Sequence, residues 1–224
     1  LHYYYFYQGL RDVVARAAEL DMGVFIISPN NQGGRLQAPT SKLTSACAPL
    51  APMNFNHMWL LNQPDVHTLS FGPATPGEID ANLVAQDYDG TGDQRELFDR
   101  VLDQVENAYR SRLGDDFCTV CNQCLPCPEN INIPGVLNWR QMHKAFDMTD
   151  YAQGRYEKVG SGGAWILGVK GDRCTKCGDC NPRCPEHLDI PQLLWRAHQE
   201  LETGLVSGPA WEHEGDLLKK DLKS

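Results

Sequence analysis

Basic charge is scarce in this sequence: 20 Lys and Arg stand against 29 Asp and Glu, a net charge of −9 over 224 residues. That balance argues against nucleic acid as a partner, since phosphate backbones are gripped by clustered cations. Long apolar runs are missing too. Gly23–Ile27 and Met58–Leu61 fall far short of the ~20 residues that span a bilayer, so no membrane partner is expected. Neither a Rossmann nor a P-loop glycine pattern is present. The seven histidines are scattered, and neither His67 nor His187 has a second histidine at metal-ligand spacing. No signal-peptide pattern is legible. A soluble, reducing, cytoplasmic setting is the expectation, and disulfides are disfavoured there.

Cysteine is what the chain has in excess. Eight of nine fall into two runs, Cys118-x-x-Cys121-x-x-Cys124-x-x-Cys127-Pro128 and Cys174-x-x-Cys177-x-x-Cys180-x-x-x-Cys184-Pro185. This is the ligand pattern of two [4Fe–4S] clusters. Three thiolates at every third position can wrap one loop around three irons, and the fourth, stopped by proline, points elsewhere. Structural zinc also takes Cys-x-x-Cys, usually as separated pairs giving four ligands per ion. It remains open at this point, as do disulfides. Cys47 lies outside both runs and reads as a buried or incidental thiol.

The two runs belong to a longer repeat. Cys127-Pro-Glu-Asn-Ile-Asn-Ile-Pro134 aligns with Cys184-Pro-Glu-His-Leu-Asp-Ile-Pro191; the offset is 57 residues there and 56 from Cys118 to Cys174. We read an internal duplication. Each copy is a cysteine loop followed by a helix, with Pro134 or Pro191 in the first turn and Asn132 or Asp189 as cap. Trp139 and Trp195 follow on these helices and are expected to pack over the clusters.

Upstream, residues 1–6 read as a strand and 10–20 as an amphipathic helix with apolar positions Leu10, Val13, Val14, Ala17 and Ala18. Residues 23–27 read as a buried parallel strand, 41–49 and 55–62 as helices, 66–71 as a strand, and 76–86 as a helix opened by Thr75-Pro76. Alternation of this kind implies parallel strands. Asp87–Asp93 resembles the start of an EF-hand loop, but position 12 is Phe98 where a bidentate Glu is needed; it reads as a polar linker. Helix 94–112 leads into the first cysteine loop. Residues 160–172 are a glycine-rich connector, and the tail after Gly208 is charged.

These residues resemble the aldo/keto reductase family. The match lies in Val24–Ile27 followed by Ser28-Pro29 and Gly33-Gly34-Arg35-Leu36, then Val66–Gly72 and Thr75-Pro76…Asn82-Leu83. One branch of that family also carries a C-terminal ferredoxin-like domain with two cysteine sets. The resemblance implies a fold of α/β plus α class: the C-terminal part of a (β/α)8 TIM barrel over residues 1–93, then a mainly α-helical ferredoxin-like dicluster domain over 94–224. It implies an NAD(P) site that includes Ser28, Pro29, Gly33, Gly34, Gly72, Thr75 and Asn82. In two-cluster ferredoxins the fourth cysteine ligates the other cluster. By that rule Cys118, Cys121 and Cys124 share a cluster with Cys184, and Cys174, Cys177 and Cys180 share one with Cys127. Spacing alone also permits four local ligands per cluster.

Departures are specific. The family's catalytic Asp, Tyr, Lys and His belong to earlier strands, so no catalytic residue is assigned here, Tyr3, Tyr4 and Tyr5 included. Ile27 stands where many members place an aromatic against the nicotinamide. Gly72 and Glu78 stand where some place cations for a 2′-phosphate, and Ala81-Asn82 replaces a Glu-Asn pair. The chain opens on Leu1 and an aromatic run, which suggests that residues precede it. The expected function is an iron–sulfur oxidoreductase of aldo/keto reductase type, passing electrons between a nicotinamide/carbonyl site and two [4Fe–4S] clusters. Its expected partners are a small carbonyl substrate and a redox protein. The alternative is a ferredoxin-like electron-carrier or docking module beside an inactive barrel remnant. Three parallel strands with unpaired edges also predict that residues 1–93 alone would aggregate.

Overall fold

A computed structural model describes residues 1–31, 33–160 and 166–203. The elements in chain order are α1 (Arg11–Glu19), β1 (Phe25–Ile27), α2 (Ser41–Cys47), α3 (Pro52–Leu61), β2 (Thr68–Ser70), α4 (Pro76–Leu83), α5 (Gly92–Leu113), α6 (Ile133–Phe146), α7 (Thr149–Glu157) and α8 (Ile190–Leu201). About half of the chain is helical. The single sheet pairs β1 with β2 in parallel, Phe25 opposite Thr68 and Ile27 opposite Ser70, with α2 and α3 making the crossover. Two strands do not close a barrel, and the described elements draw neither a TIM barrel nor a ferredoxin-like fold. The tail after Gly208 and part of the 160–172 connector lie outside the described residues.

Residues 1–6 do not form the expected strand. Tyr4 and Tyr7 exchange two backbone hydrogen bonds of 3.0 Å around a tight turn, and only Leu1 pairs beside β1, accepting from the Ile27 N–H. A strand sends alternate side chains to opposite faces. The unbroken aromatic run 3–6 is instead buried ring by ring, Tyr4 at 1% and Phe6 at 2% exposure, which the turn achieves by spreading the rings in different directions.

The helices form where they are expected, but α1 buries only Val14 of its expected apolar stripe, Val13 and Ala18 being exposed, and α4 stops at Leu83. Thr75 caps α4 by accepting from the Glu78 N–H at 3.3 Å, and the Glu78 carboxylate accepts from the Ala74 N–H just before the cap. α5 buries Phe98, Val101, Val105, Tyr109 and Leu113, one helical stripe, and lies against α2, α3 and α6. α3 is buried on nearly every side. Residues 87–91 form a turn ahead of α5, which takes in Gly92 and Asp93, with Asp89 accepting from the Thr91 backbone and hydroxyl.

One core runs through both halves of the chain. The Phe6 ring packs on Tyr109 and Phe146 at 6.2 and 5.9 Å. Asn138 donates to the Phe6 carbonyl at 2.8 Å, and Thr40 donates to that of Phe146 at 2.5 Å. The linker at 93 separates two stretches of sequence but not two hydrophobic cores.

Candidate metal centre

The duplicated sequence has a duplicated backbone. Each cysteine loop is preceded by a 3₁₀ turn, Gly114–Asp116 or Gly171–Arg173. Left-handed residues then recur at matching places: Val120 and Lys176, Asn122 and Gly178, Asn130 and His187. Their offsets are 176 − 120 = 56, 178 − 122 = 56 and 187 − 130 = 57, the offsets of the cysteines themselves. Cys127 and Cys184 each accept from the residue three further on. The expected caps form, Asn132 accepting from Gly135 and Asp189 from Gln192. The inserted residue of the second copy falls in the 3₁₀ turn Asn181–Arg183.

Two cavities lie among these loops. The first is ringed by Cys118, Cys121, Cys124 and Cys184 over an apolar floor of Pro134, Leu137, Leu188 and Ile190. The second is ringed by Cys127, Cys174, Cys177 and Cys180 over Ile131, Ile133, Pro191 and Leu194. Each set takes three cysteines from one copy and the fourth from the other. The exchange follows from packing: α6 lies against α8, so the Cys-Pro at the head of each helix faces the opposite loop.

Burial dominates the electrostatics of three of these thiols, and neighbouring thiols add to it. Burial pushes Cys118 up to about 11, and its neighbours Cys121 and Cys184 add to that. Cys124 is pushed up to about 12 by burial, with Cys118, Cys121 and, from the other ring, Cys180 contributing. Cys180 is raised by burial and then by Cys174, Cys177 and Cys127. Cys118, Cys124 and Cys180 are therefore neutral near pH 7, and metal binding there would release protons. Among the described residues no three Cys, His, Asp or Glu side chains converge tightly enough for one metal ion. Each cavity offers four thiols over an apolar floor, the donor set that a [4Fe–4S] group takes, and by that donor set the residues present fit such a group.

Side chains that the sequence reading missed fix the loops. Gln141 accepts from the Cys118 N–H at 2.6 Å and donates to the Cys118 carbonyl at 3.1 Å. Its counterpart in the second copy is His198, which meets the Tyr156 hydroxyl at 2.8 Å; that hydroxyl accepts from the Gly171 N–H at 3.0 Å. Because the two copies use different side chains, the repeat carried no signal for either. Arg183 donates to the Pro126 carbonyl at 3.1 Å, and Thr175 to Glu129 at 3.2 Å, tying loop to loop. The Val120 N–H already points at Cys118 Sγ, 3.4 Å away. Buried Arg140 joins Asp116, before the first loop, to Glu200 on α8 at 3.1 and 2.9 Å. Trp139 and Trp195 do not cover the cavities. Trp139 is buried and lines a different cavity with Tyr4, Tyr7 and Tyr151, and Trp195 is 51% exposed. Cys47 is fully buried with its thiol pushed up to about 12, as an inert thiol should be.

The expected dinucleotide residues divide into two groups. Ser28, Pro29, Gly72, Thr75 and Asn82 line one open cavity of about 640 Å³ at the carboxyl ends of β1 and β2. Gly33 and Gly34 do not line it. A Cβ on Gly33 would come within 2.5 Å of the Pro29 carbonyl, and one on Gly34 within 2.2 Å of Met148 Cε, so they are close-packing positions. The cavity floor holds a chain that the sequence did not signal: His57 Nε2 to Asn30 Oδ1 at 2.8 Å, and Asn30 Nδ2 to Asn82 Oδ1 at 2.7 Å. Asn82 donates in turn to the Glu78 carbonyl, so both ends of its amide are engaged internally. Burial holds His57 down to about 4. His67 is an exposed residue whose Nδ1 accepts from Val24 N–H.

Compared with known protein families, curated proteins and solved structures, the chain matches none.

Proposed function

We propose that this chain holds two [4Fe–4S] clusters and serves electron transfer, within an iron–sulfur oxidoreductase of aldo/keto reductase type. The observation that carries the reading is the division of eight cysteines into two rings of four, each completed across the repeat. Bound clusters would supply one-electron exchange. Cys118, Cys121, Cys124 and Cys184 would hold one, and Cys127, Cys174, Cys177 and Cys180 the other. The protein contributes an apolar floor that excludes water, the Val120 amide toward sulfur, and the Gln141 clasp on Cys118, the features that tune such centres. Each ring holds one buried cysteine, Cys184 in the first and Cys180 in the second, but the exposed Cys177 belongs to the second, which makes that ring the more open to a partner protein.

Iron, acid-labile sulfide and zinc are to be measured on protein purified without oxygen, with EPR before and after dithionite. About eight irons and eight sulfides, with a signal on reduction, are expected. About two zincs without sulfide would replace the reading with a metal-stapled structural domain.

The electron-carrier alternative is favoured by one feature of the upper cavity, the internal engagement of Asn82. NAD(P)H added to full-length protein separates the two. Reduction of the clusters supports a nicotinamide/carbonyl site near Ser28, Pro29, Gly72 and Thr75. Clusters that only a protein donor reduces support the carrier.

A further inference from the structure

A separate cavity of about 190 Å³ opens where the aromatic turn, α5 and the first cysteine loop meet. It shares a wall with the first cysteine ring, because Cys118, Thr119 and Val120 line both. Two arginines line it, Arg11 from α1 and Arg110 from α5. Arg11 donates to the Gln8 amide oxygen at 2.6 Å; Arg110 lies over the Phe117 ring, 4.4 Å from its centroid. Among the described residues neither forms an ion pair, although the chain carries nine more acidic than basic residues. Glu106 is the one carboxylate on the lining. Asn138 is 4% exposed and spends its amide N–H on the Phe6 carbonyl, which leaves its side-chain oxygen as a further polar group at this wall. Tyr5, Tyr109 and Phe117 supply aromatic surface.

Guanidiniums are the usual receptors for planar carboxylates, and a small volume with aromatic walls selects a compact organic anion over a polymer. We infer that this cavity binds a small carboxylate-bearing molecule against the outer wall of the first cysteine ring. The carboxylate is held by Arg11 and Arg110, and the body of the molecule lies on Tyr109 and Phe117. The location makes it a docking place for a redox substrate or effector that needs neither the upper cavity nor a protein partner. The cluster-linked part of this inference rests on the proposed function above; the binding part does not.

The test uses benzoate as probe and inorganic phosphate as comparison, on the full chain purified without oxygen. Calorimetry reads binding, and EPR of the dithionite-reduced protein reads the neighbouring cluster. Benzoate is expected to bind more tightly than phosphate, to weaken at least tenfold in the R11Q/R110Q double variant, and to change the EPR line shape of one cluster. Both arginines are exposed, and an unchanged melting temperature confirms that the variant folds. No benzoate binding, equal binding by the double variant, or phosphate binding as tightly as benzoate would overturn the inference. Binding that depends on the arginines, in protein found to lack iron and sulfide, would uphold the site while overturning the electron-transfer reading.

Discussion

At the scale of single residues, each side chain can be asked which ring it serves. Cys184 belongs by sequence to the second run and by position to the first cavity. Single Cys→Ser variants therefore do not discriminate, but pairs do. Cys184→Ser with Cys121→Ser should damage one ring and leave about four irons per chain. Cys184→Ser with Cys177→Ser should damage both and leave almost none. The reverse pattern in iron analysis would mean four local ligands per cluster. His57 makes a different prediction. Its ordinary value of 6.5 falls to about 4 in the fold because burial disfavours the charged ring. Between these values the unfolded chain binds a proton that the native chain refuses, so stability is intact above pH 6.5 and declines as pH falls toward 4. The full contribution is about 3 kcal/mol. In His57→Gln the acid limb of a denaturation series between those pH values should flatten; an unchanged slope would show that His57 does not set it.

At the scale of elements, the cysteine loops are held by helices that dock through backbone contacts. A Cβ on Gly171 would stand 2.7 Å from the Leu194 carbonyl on α8, a backbone atom that cannot swing aside. Gly171→Ala should therefore push the second loop off α8, at a cost of about 1–3 kcal/mol, and deplete the ring containing Cys174 first. Gly178→Ala is the contrast. Its Cβ meets open space, but φ is +87°, so only the left-handed penalty of roughly 1–2 kcal/mol applies. Asn122 occupies the same place in the other copy, so Gly178→Asn should be milder than Gly178→Ala. Thermal melts of the three variants, with iron content, check the order. The same docking explains why loop residues as ordinary as Val120 persist in the left-handed region: the fold around a repeated cysteine frame dictates the backbone, and the side chain follows.

For the molecule as a whole, the decisive fact is the shared core. Residues 1–93 contribute Phe6 and Phe55, whose rings meet Tyr109, Phe146 and Phe98 from beyond the linker. Without those partners the same rings, together with Phe25 and Ile27, which are 48% and 37% exposed even in the intact chain, form an apolar surface around an unpaired two-stranded sheet. Residues 1–93 expressed alone should aggregate, and size-exclusion with light scattering reads this directly. A monomer that melts cooperatively would show that the upper half holds its own core.

What the sequence determined by itself was local. The cysteine spacing, the Asn132 and Asp189 caps, the prolines behind them and the 56/57 offset act over a few bonds, and each reappears in the backbone. The stripe of α5 and the parallel pairing of β1 with β2 were legible for the same reason, since periodicity and alternation of elements are properties of short stretches. Only the tertiary structure decided which four cysteines share a cavity, because intervals along a chain fix what a loop can wrap and not which loop faces it; the packing of α6 on α8 does that. Tertiary packing also turned the strand expected at 1–6 into a turn, because four successive aromatic side chains find more cover in a three-dimensional junction than on a two-faced strand. It likewise brought Gln141 to Cys118 and His57 to Asn30, contacts over distances in sequence for which no periodic signal exists.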